Sequence, residues 1–499
     1  MKGIVKAFVC VSIIFNSQLP VFNSLHAQTP REEYEAWKKQ ARGNYSRYRQ
    51  QTIDDYQAFR KKANEEYAEF VKSAWEAIGR KPAIPVPEEP KPPVPPMVPE
   101  EKPQPQPIPH EEVAPMPTPQ PVPEVPMPTP EPVPIDNTMK VIYYGTTLTM
   151  HMPLEKPIVL KDTEGETLGK AWKTLSNGSY DALLADCLKA KKTLGIGDWG
   201  YITLLGTVAK SVADGGNEAV LLQEWLLAQS GYKARLARTK VGVLQIYMPF
   251  DVLVFNLTFI ELEDEPYFLI TDNGQEEDEI QVVTAGFPGE HLSSLRVAGS
   301  PKLEYEACGQ RTLRSKEYPP IALQTEVNRN LISYYNDYPK VAGAWDVYAT
   351  ASLSDGVKKL MYPKLRTMLQ GKSELEKTEM LLNWVQTAFE YKTDEEQFGG
   401  ERSLFADESL YYPYCDCEDR SILLSVLVRD LLGLDVVLLH FPGHLATAVK
   451  FTTNVEGDYL VLEDGKYIVC DPTYIGAPVG LAMPEYKGKD VKIEVFELH

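Results

Sequence analysis

Aromatic positions recur at a fixed spacing near the start of the chain. Tyr34 and Trp37, Tyr45 and Tyr48, Tyr56 and Phe59, and Tyr67 and Phe70 form pairs set eleven residues apart, with small residues in step at Ala41, Thr52, Ala63 and Ala74. Eleven residues make three helical turns at about 3.67 residues per turn, so the stripe keeps to one face of a long, nearly straight helix predicted over 31–78. Gly43 is its weak point, costing about 1 kcal/mol against alanine in a helix interior. A one-faced aromatic stripe suits packing against a partner helix or a second copy of itself. The same rings also offer a stacking platform for a sugar or cell-wall polymer.

From Pro82 to Pro134 proline stands at almost every second or third position, and 115–125 nearly repeats as 126–135. Without backbone donors at those positions, helix and sheet ladders are excluded and a polyproline II rod of about 3.1 Å per residue is favoured. This stretch reads as a spacer.

Folded structure is expected from about Met139, where short β-type runs over 141–144 and 147–150 precede helical patterns. Two later stretches resemble each other. Gly215 to Leu236 and Cys417 to Leu438 each run from a polar helix start through an apolar helix to a glycine sixteen residues on, Gly231 or Gly433, and then a strand. Apolar helices precede both, over 199–212 and 379–389. Strands follow both, over 241–247 with 257–262 and over 445–451 with 459–463. An internal duplication in an α+β chain accounts for this order.

Composition then narrows the setting. The 499-residue chain carries a formal net charge of -19, which argues against the basic face that nucleic acid requires. Lys2 and Lys6 precede an apolar run over 7–15, and Leu25, His26 and Ala27 close the pattern of a secretory signal cleaved after Ala27. No later run reaches the roughly eighteen apolar residues of a membrane span. The expectation is an exported protein, periplasmic or extracellular. Its parts are a signal at 1–27, a helical segment at 28–79, a proline-rich linker at 80–136, and folded domains at 137–305 and 306–499.

An oxidising compartment permits disulfides. Beyond the signal stand Cys187, Cys308, Cys415, Cys417 and Cys470. Pairing Cys187 with Cys308 and Cys415 with Cys470 would leave Cys417 free, and fully reduced cysteines are the alternative.

Cys417 opens the helix 417–432, where unpaired amides and the positive helix end favour a thiolate and can donate to an oxyanion. Asp416, Glu418 and Asp419 oppose that thiolate, so a cationic partner is needed. His444 follows Gly443 at the start of a strand, and Asp471 follows the strand 466–470, before Pro472. A neighbouring strand tip would let Asp471 hold the imidazole in one tautomer and orientation. Cys415, Cys417, His440 and His444 could instead supply a zinc set, but Phe441, Pro442 and Gly443 forbid a continuous helix between the histidines. No cofactor or metal is expected.

Cys417-Glu418-Asp419-Arg420-Ser421 with its helix, Gly443-His444 opening a strand, and Asp471-Pro472-Thr473 after the next strand resemble the transglutaminase-like cysteine enzyme family. The resemblance covers about 310–490, including the Trp384 helix and Tyr391, and matches the three catalytic positions in order. It implies a papain-like α+β fold and a Cys417, His444, Asp471 triad acting on a peptide or protein substrate, and it does not choose the reaction; hydrolysis is preferred over crosslinking because water is the default acceptor in an exposed site. Where the family often has glycine two positions before its nucleophile, this chain has Cys415. The earlier copy has Gly215 at the nucleophile position and no histidine at the matching distance, so it reads as a degenerate domain that packs on the other or binds a ligand. A non-catalytic envelope binding or scaffold protein is the competing class.

Overall fold

The computed structural model describes residues 30–87, 104–111, 137–153, 157–271, 277–341 and 343–495, with side chains from Trp37 onward. The signal segment, the Tyr34 ring and most of the proline-rich stretch lie outside the described residues. Helix α1 spans Pro30–Ser73, and the chain divides between Ala58 and Phe59 into two units. In the first unit Trp37, Tyr45 and Tyr48 of the stripe are exposed.

In the second unit the last repeat of the stripe turns into a core. Ala63, Tyr67, Ala68 and Val71 are buried, and Tyr67 packs on Trp172 and Phe287 with ring centroids 4.5 and 5.6 Å away. The helix expected to reach 78 ends at Ser73, and Trp75–Gly79 is strand β1. Its backbone pairs with residues 279–283, and Arg238 lies over the Trp75 ring at 4.5 Å. A sheet edge and a packed indole outweigh the helical pattern there, as tertiary context routinely does.

A hairpin of β2 (Thr138–Tyr143) and β3 (Thr146–His151) leads to four helices: α2 (Gly165–Leu175), α3 (Asp181–Leu194), α4 (Asp198–Ala213) and α5 (Gly216–Gln229). Gly165 lets α2 meet α1 closely, since a Cβ there would lie 2.1 Å from the Lys72 carbonyl oxygen. Strands β4 (Arg235–Arg238), β5 (Leu244–Met248), β6 (Phe259–Leu262), β7 (Glu265–Leu269) and β8 (Glu279–Val283) join β1 in a sheet of order β1-β8-β4-β5-β7-β6.

The chain then repeats the theme. A hairpin of β9 (Ala307–Arg314) and β10 (Ala322–Asn328) precedes α6 (Arg329–Asn336), α7 (Asp346–Ala349), α8 (Asp355–Leu369) and α9 (Glu374–Ala388). Next come α10 (Asp394–Phe398), α11 (Ala406–Tyr411) and α12 (Cys417–Leu432), followed by β11 (Val436–Phe441), β12 (His444–Lys450), β13 (Tyr459–Leu462), β14 (Gly465–Cys470) and β15 (Lys492–Val495). The second sheet has the order β13-β14-β12-β11-β15. Read from the other edge it matches β8-β4-β5-β7-β6 strand for strand, each sheet following an apolar helix that ends at a left-handed glycine, Gly231 or Gly433. The architecture is thus mixed α and β with several sheets. Helix α12 is buried from Cys417 to Val428, as its nearly all-round apolar sequence requires.

The proline-rich stretch departs from a free spacer wherever it is described. Lys81 pairs with Phe259 on β6. On β13, the Tyr459 amide donates to the Gln106 carbonyl at 3.1 Å and the Ile108 amide to the Tyr459 carbonyl at 2.7 Å. Ile108 is buried against the second sheet. Proline is tolerated at a sheet edge, where its missing N–H need not face a neighbour, so the expected exclusion from sheet fails at both outer strands.

Where α1 meets this unit, Tyr67 Oη donates to Glu224 Oε1 at 3.3 Å. The nearest guanidinium, Arg235, is spent on Glu290 at 2.7 and 2.8 Å. Burial therefore pushes the Glu224 carboxyl up to about 8, against the opposing pull of Arg235. A raised carboxyl makes the folded state hold a proton that the unfolded state releases, so stability is lost as pH climbs from about 4.5 towards 8. Glu224→Gln is expected to flatten that loss and to raise Tm at pH 8 by about 2 °C or more, measured by thermal melts at pH 5 and pH 8.

Candidate active site

Cys417 is the first residue of α12, with Asp416 as its N-cap and a reciprocal capping box to Asp419. The Asp416 amide donates to Asp419 Oδ2 at 3.4 Å. The thiol donates to Glu418 Oε2 at 3.1 Å. The helix end favours a thiolate, while a carboxylate at that distance favours the protonated sulfur.

His444 opens β12 and pairs with Phe441 across a two-residue turn, made possible by Gly443 at φ 75°. Its Nε2 lies 2.9 Å from Asp471 Oδ2. Asp471 Oδ1 accepts from the amides of Thr473 and Tyr474 at 2.9 and 3.2 Å. With Nε2–H given to the carboxylate, Nδ1 is the basic nitrogen, and it has no hydrogen-bond partner among the described residues. The Tyr486 ring stacks on the imidazole at 4.8 Å and 19°. Burial first, then the negative charge of Glu485, pushes the Tyr486 phenol up.

Gln386, which the sequence did not single out, holds this geometry together with Arg420 and Ser421 of the Cys417 motif. Gln386 on α9 donates through Nε2 to the carbonyls of Asp471, Tyr474 and Ala477 at 2.9 to 3.0 Å, and accepts from the Gly476 amide at 3.2 Å. Arg420, one turn into α12, donates to the carbonyls of Gln386 and Phe389 at 3.2 and 3.1 Å. Ser421 Oγ donates to the Leu445 carbonyl at 2.9 Å, tying the first turns of α12 to the strand that starts with His444. All three candidate residues are about 2 % exposed.

A group of carboxylates adjoins Cys417. Oxygens of Asp394, Asp416 and Asp419, and of Asp394, Glu401 and Glu418, lie within 4.8 Å of one another. Backbone amides satisfy part of this set: Arg402 donates to Asp394 at 2.7 Å and Leu404 to Asp419 at 2.9 Å. Hard oxygen donors of this kind are what a divalent cation takes. Only folding brings the three segments together, so spacing along the chain carried no sign of it.

The zinc alternative fails on sheet geometry. His440 pairs with Leu445 and His444 with Phe441, so the two imidazoles project from opposite faces of the sheet. The ring of His440 packs on Trp345 at 4.5 Å. None of Cys187, Cys308, Cys415, Cys417 and Cys470 is in a disulfide among the described residues. Cys415 donates to the Ser409 carbonyl at 3.5 Å, and burial pushes its thiol and that of Cys470 up.

The first half has no such chemistry at the matching place. Gly215 and Gly216 open α5. Aligning Gly231 with Gly433 sets Thr239 against Phe441. The Thr239 amide donates to the Val243 carbonyl, so Val243 stands where His444 does. Ile270 pairs with Ile246 through its amide, as Cys470 pairs with Thr447, so Thr271 stands where Asp471 does. No family model, curated protein or solved structure matches this chain.

Glu418→Gln removes the negative charge beside the sulfur, and alkylation of Cys417 by iodoacetamide at pH 7 is expected to quicken severalfold. An unchanged rate-against-pH profile would show that this charge does not reach the thiol. Gln386→Leu leaves buried carbonyls unpaired, and is expected to cost about 2–4 kcal/mol in urea unfolding.

Proposed function

We propose that this chain is an exported cysteine enzyme of the transglutaminase-like, papain-like kind, with a degenerate first domain and a second that acts on peptide or amide carbonyls. The observation that carries the reading is the buried His444–Asp471 pair, bonded through Nε2 with Nδ1 left open, on the strand that α12 and its leading Cys417 pack against. The matched strand order of the two sheets supports a duplicated domain, one copy having lost its polar residues.

In this reading His444 Nδ1 takes the Cys417 proton as the sulfur leaves Glu418 and attacks the carbonyl carbon. The first-turn amides of α12 receive the oxyanion. The C–N bond then breaks, with the imidazolium protonating the leaving amine, and Asp471 steadies the charged ring throughout. Water, activated by the same nitrogen, releases the acyl group and restores the thiol. An amine in place of water gives crosslinking, and hydrolysis is preferred because water is the default acceptor. The exposed rings of the first unit support helix-mediated self-association or docking to an envelope partner.

The burial of Cys417, His444 and Asp471, together with the thiol's bond to Glu418, favours a second reading as a non-catalytic binding or scaffold protein. A short iodoacetamide pulse without reductant, followed by peptide mapping, separates the two. The enzyme reading expects Cys417 to be modified near neutral pH faster than the part-exposed Cys308, and His444→Ala to slow it at least tenfold. Equal rates in wild type and His444→Ala would favour the scaffold.

A further inference from the structure

We infer that the first of the two repeated halves is a peptide-binding module, whose groove between α4 and α5 takes an extended zwitterionic peptide of about five residues. The inference does not depend on Cys417 being catalytic.

The groove is a cavity of about 630 Å³, closed on one side by Val243 and Leu244 at the tip of β5 and by Ile270 and Thr271 after β7. Val243 and Thr271 stand at the positions of His444 and Asp471, and Gly216 follows Gly215, the counterpart of Cys417. Two of the three counterpart positions, and the neighbour of the third, therefore line an open space. Gly206 forms part of the wall beside Gln223, and a Cβ there would stand 3.0 Å from Gln223 Nε2.

Length follows from α4. Trp199, Thr203, Gly206 and Lys210 lie on one face along the cavity, and their span at 1.5 Å per residue is about 16 Å. An extended chain rises about 3.3 Å per residue, which gives about five residues.

Polarity follows from the two ends. At the Trp199 end, Asp337 accepts from Trp199 Nε1 through its backbone carbonyl at 3.1 Å and from the Tyr144 hydroxyl through Oδ2 at 2.8 Å. Its Oδ1 has no hydrogen bond among the described residues and suits an ammonium group. At the other end stands Lys210, exposed and without an ion pair among the described residues. It lies beside the start of α5, where no side chain caps the helix and the positive end favours a carboxylate.

Between the ends lies Gln223, itself only 7 % exposed. Its Nε2 donates to the Ile202 carbonyl at 3.1 Å, while Oε1 has no protein partner among the described residues. A carbonyl oxygen without a protein donor takes one from solvent or ligand, and a peptide N–H lying along the groove is one. The Thr207 hydroxyl donates to the Thr203 carbonyl within α4 at 3.0 Å, which leaves its oxygen as an acceptor for a second N–H.

The test uses the full mature chain carrying Cys417→Ala, so that no turnover intervenes. Isothermal titration is run with the pentapeptide Lys-Ala-Val-Ala-Glu bearing free termini, and with its charge-reversed, end-blocked counterpart Glu-Ala-Val-Ala-Lys. Saturable one-to-one binding of the first is expected, at least tenfold tighter than the second. Lys210→Glu is expected to weaken it at least tenfold, and Val220→Trp, which fills the groove, to abolish it with the melting curve retained. In the chain with Cys417 restored, Lys210→Glu is expected to leave iodoacetamide labelling unchanged, so that a failed groove and a failed nucleophile give different results. No heat of binding at millimolar peptide overturns the inference. Binding that survives both groove variants overturns it as well, because the peptide then sits elsewhere, the Cys417 site included.

Discussion

Taking an imidazole and a carboxylate out of water costs several kcal/mol unless hydrogen bonds replace the lost hydration. The buried pair of His444 and Asp471 meets that condition at the carboxylate, while the imidazole keeps Nδ1 without a partner among the described residues. One oxygen of Asp471 faces the ring, and the other holds two amides of the following turn. Gln386 then pins the same turn through three carbonyls. Because Gln386 sits on α9 and its own carbonyl is held by Arg420 of α12, the helix that begins with Cys417 is placed by the network that places the carboxylate. Helices, sheet and candidate chemistry are one mechanical unit.

Opposing that pre-organisation is the local charge. The sulfur lies next to Glu418, and five carboxylates converge around the start of the same helix. Two influences of opposite sign, the helix end and the carboxylates, act on one thiol, with an open imidazole nitrogen on the adjoining strand. Which protonation state prevails depends on a balance of a few kcal/mol, within the range that one charge at 3 to 4 Å controls.

The two halves show what a fold keeps when its polar residues change. Strand order and the helix-ending glycine persist in both. Glycine, valine and threonine stand at the positions of Cys417, His444 and Asp471, and a cavity lies beside the valine and threonine. Sheet edges are managed alike: backbone from the proline-rich stretch pairs with β6 in one half and β13 in the other. Covering an outer strand with a segment poor in N–H donors stops further strand addition.

Much of this was legible along the chain, because the signals are local. The apolar run of α12 stopped by Gly433, the strand opened by Gly443 and His444, and the carboxylate at a strand end before Pro472 each depend on spacings of a few residues. So did the repeated helix and strand order that the two sheets then displayed. What tertiary structure alone decided involves partners far apart in sequence. Trp75–Gly79 left the helical pattern to pair with residues some two hundred positions on. Ile108 entered the core of the second sheet from within a proline-rich stretch, and in the last aromatic pair of α1 Tyr67 was buried while Phe70 stayed exposed. Gln386, Arg420 and the converging carboxylates look like ordinary polar helix and loop residues until folding removes water from around them. Periodicity reports which face of an element is buried, and it is silent on what that face meets, because the contact is set by long-range packing and hydrogen-bond satisfaction rather than by local conformation.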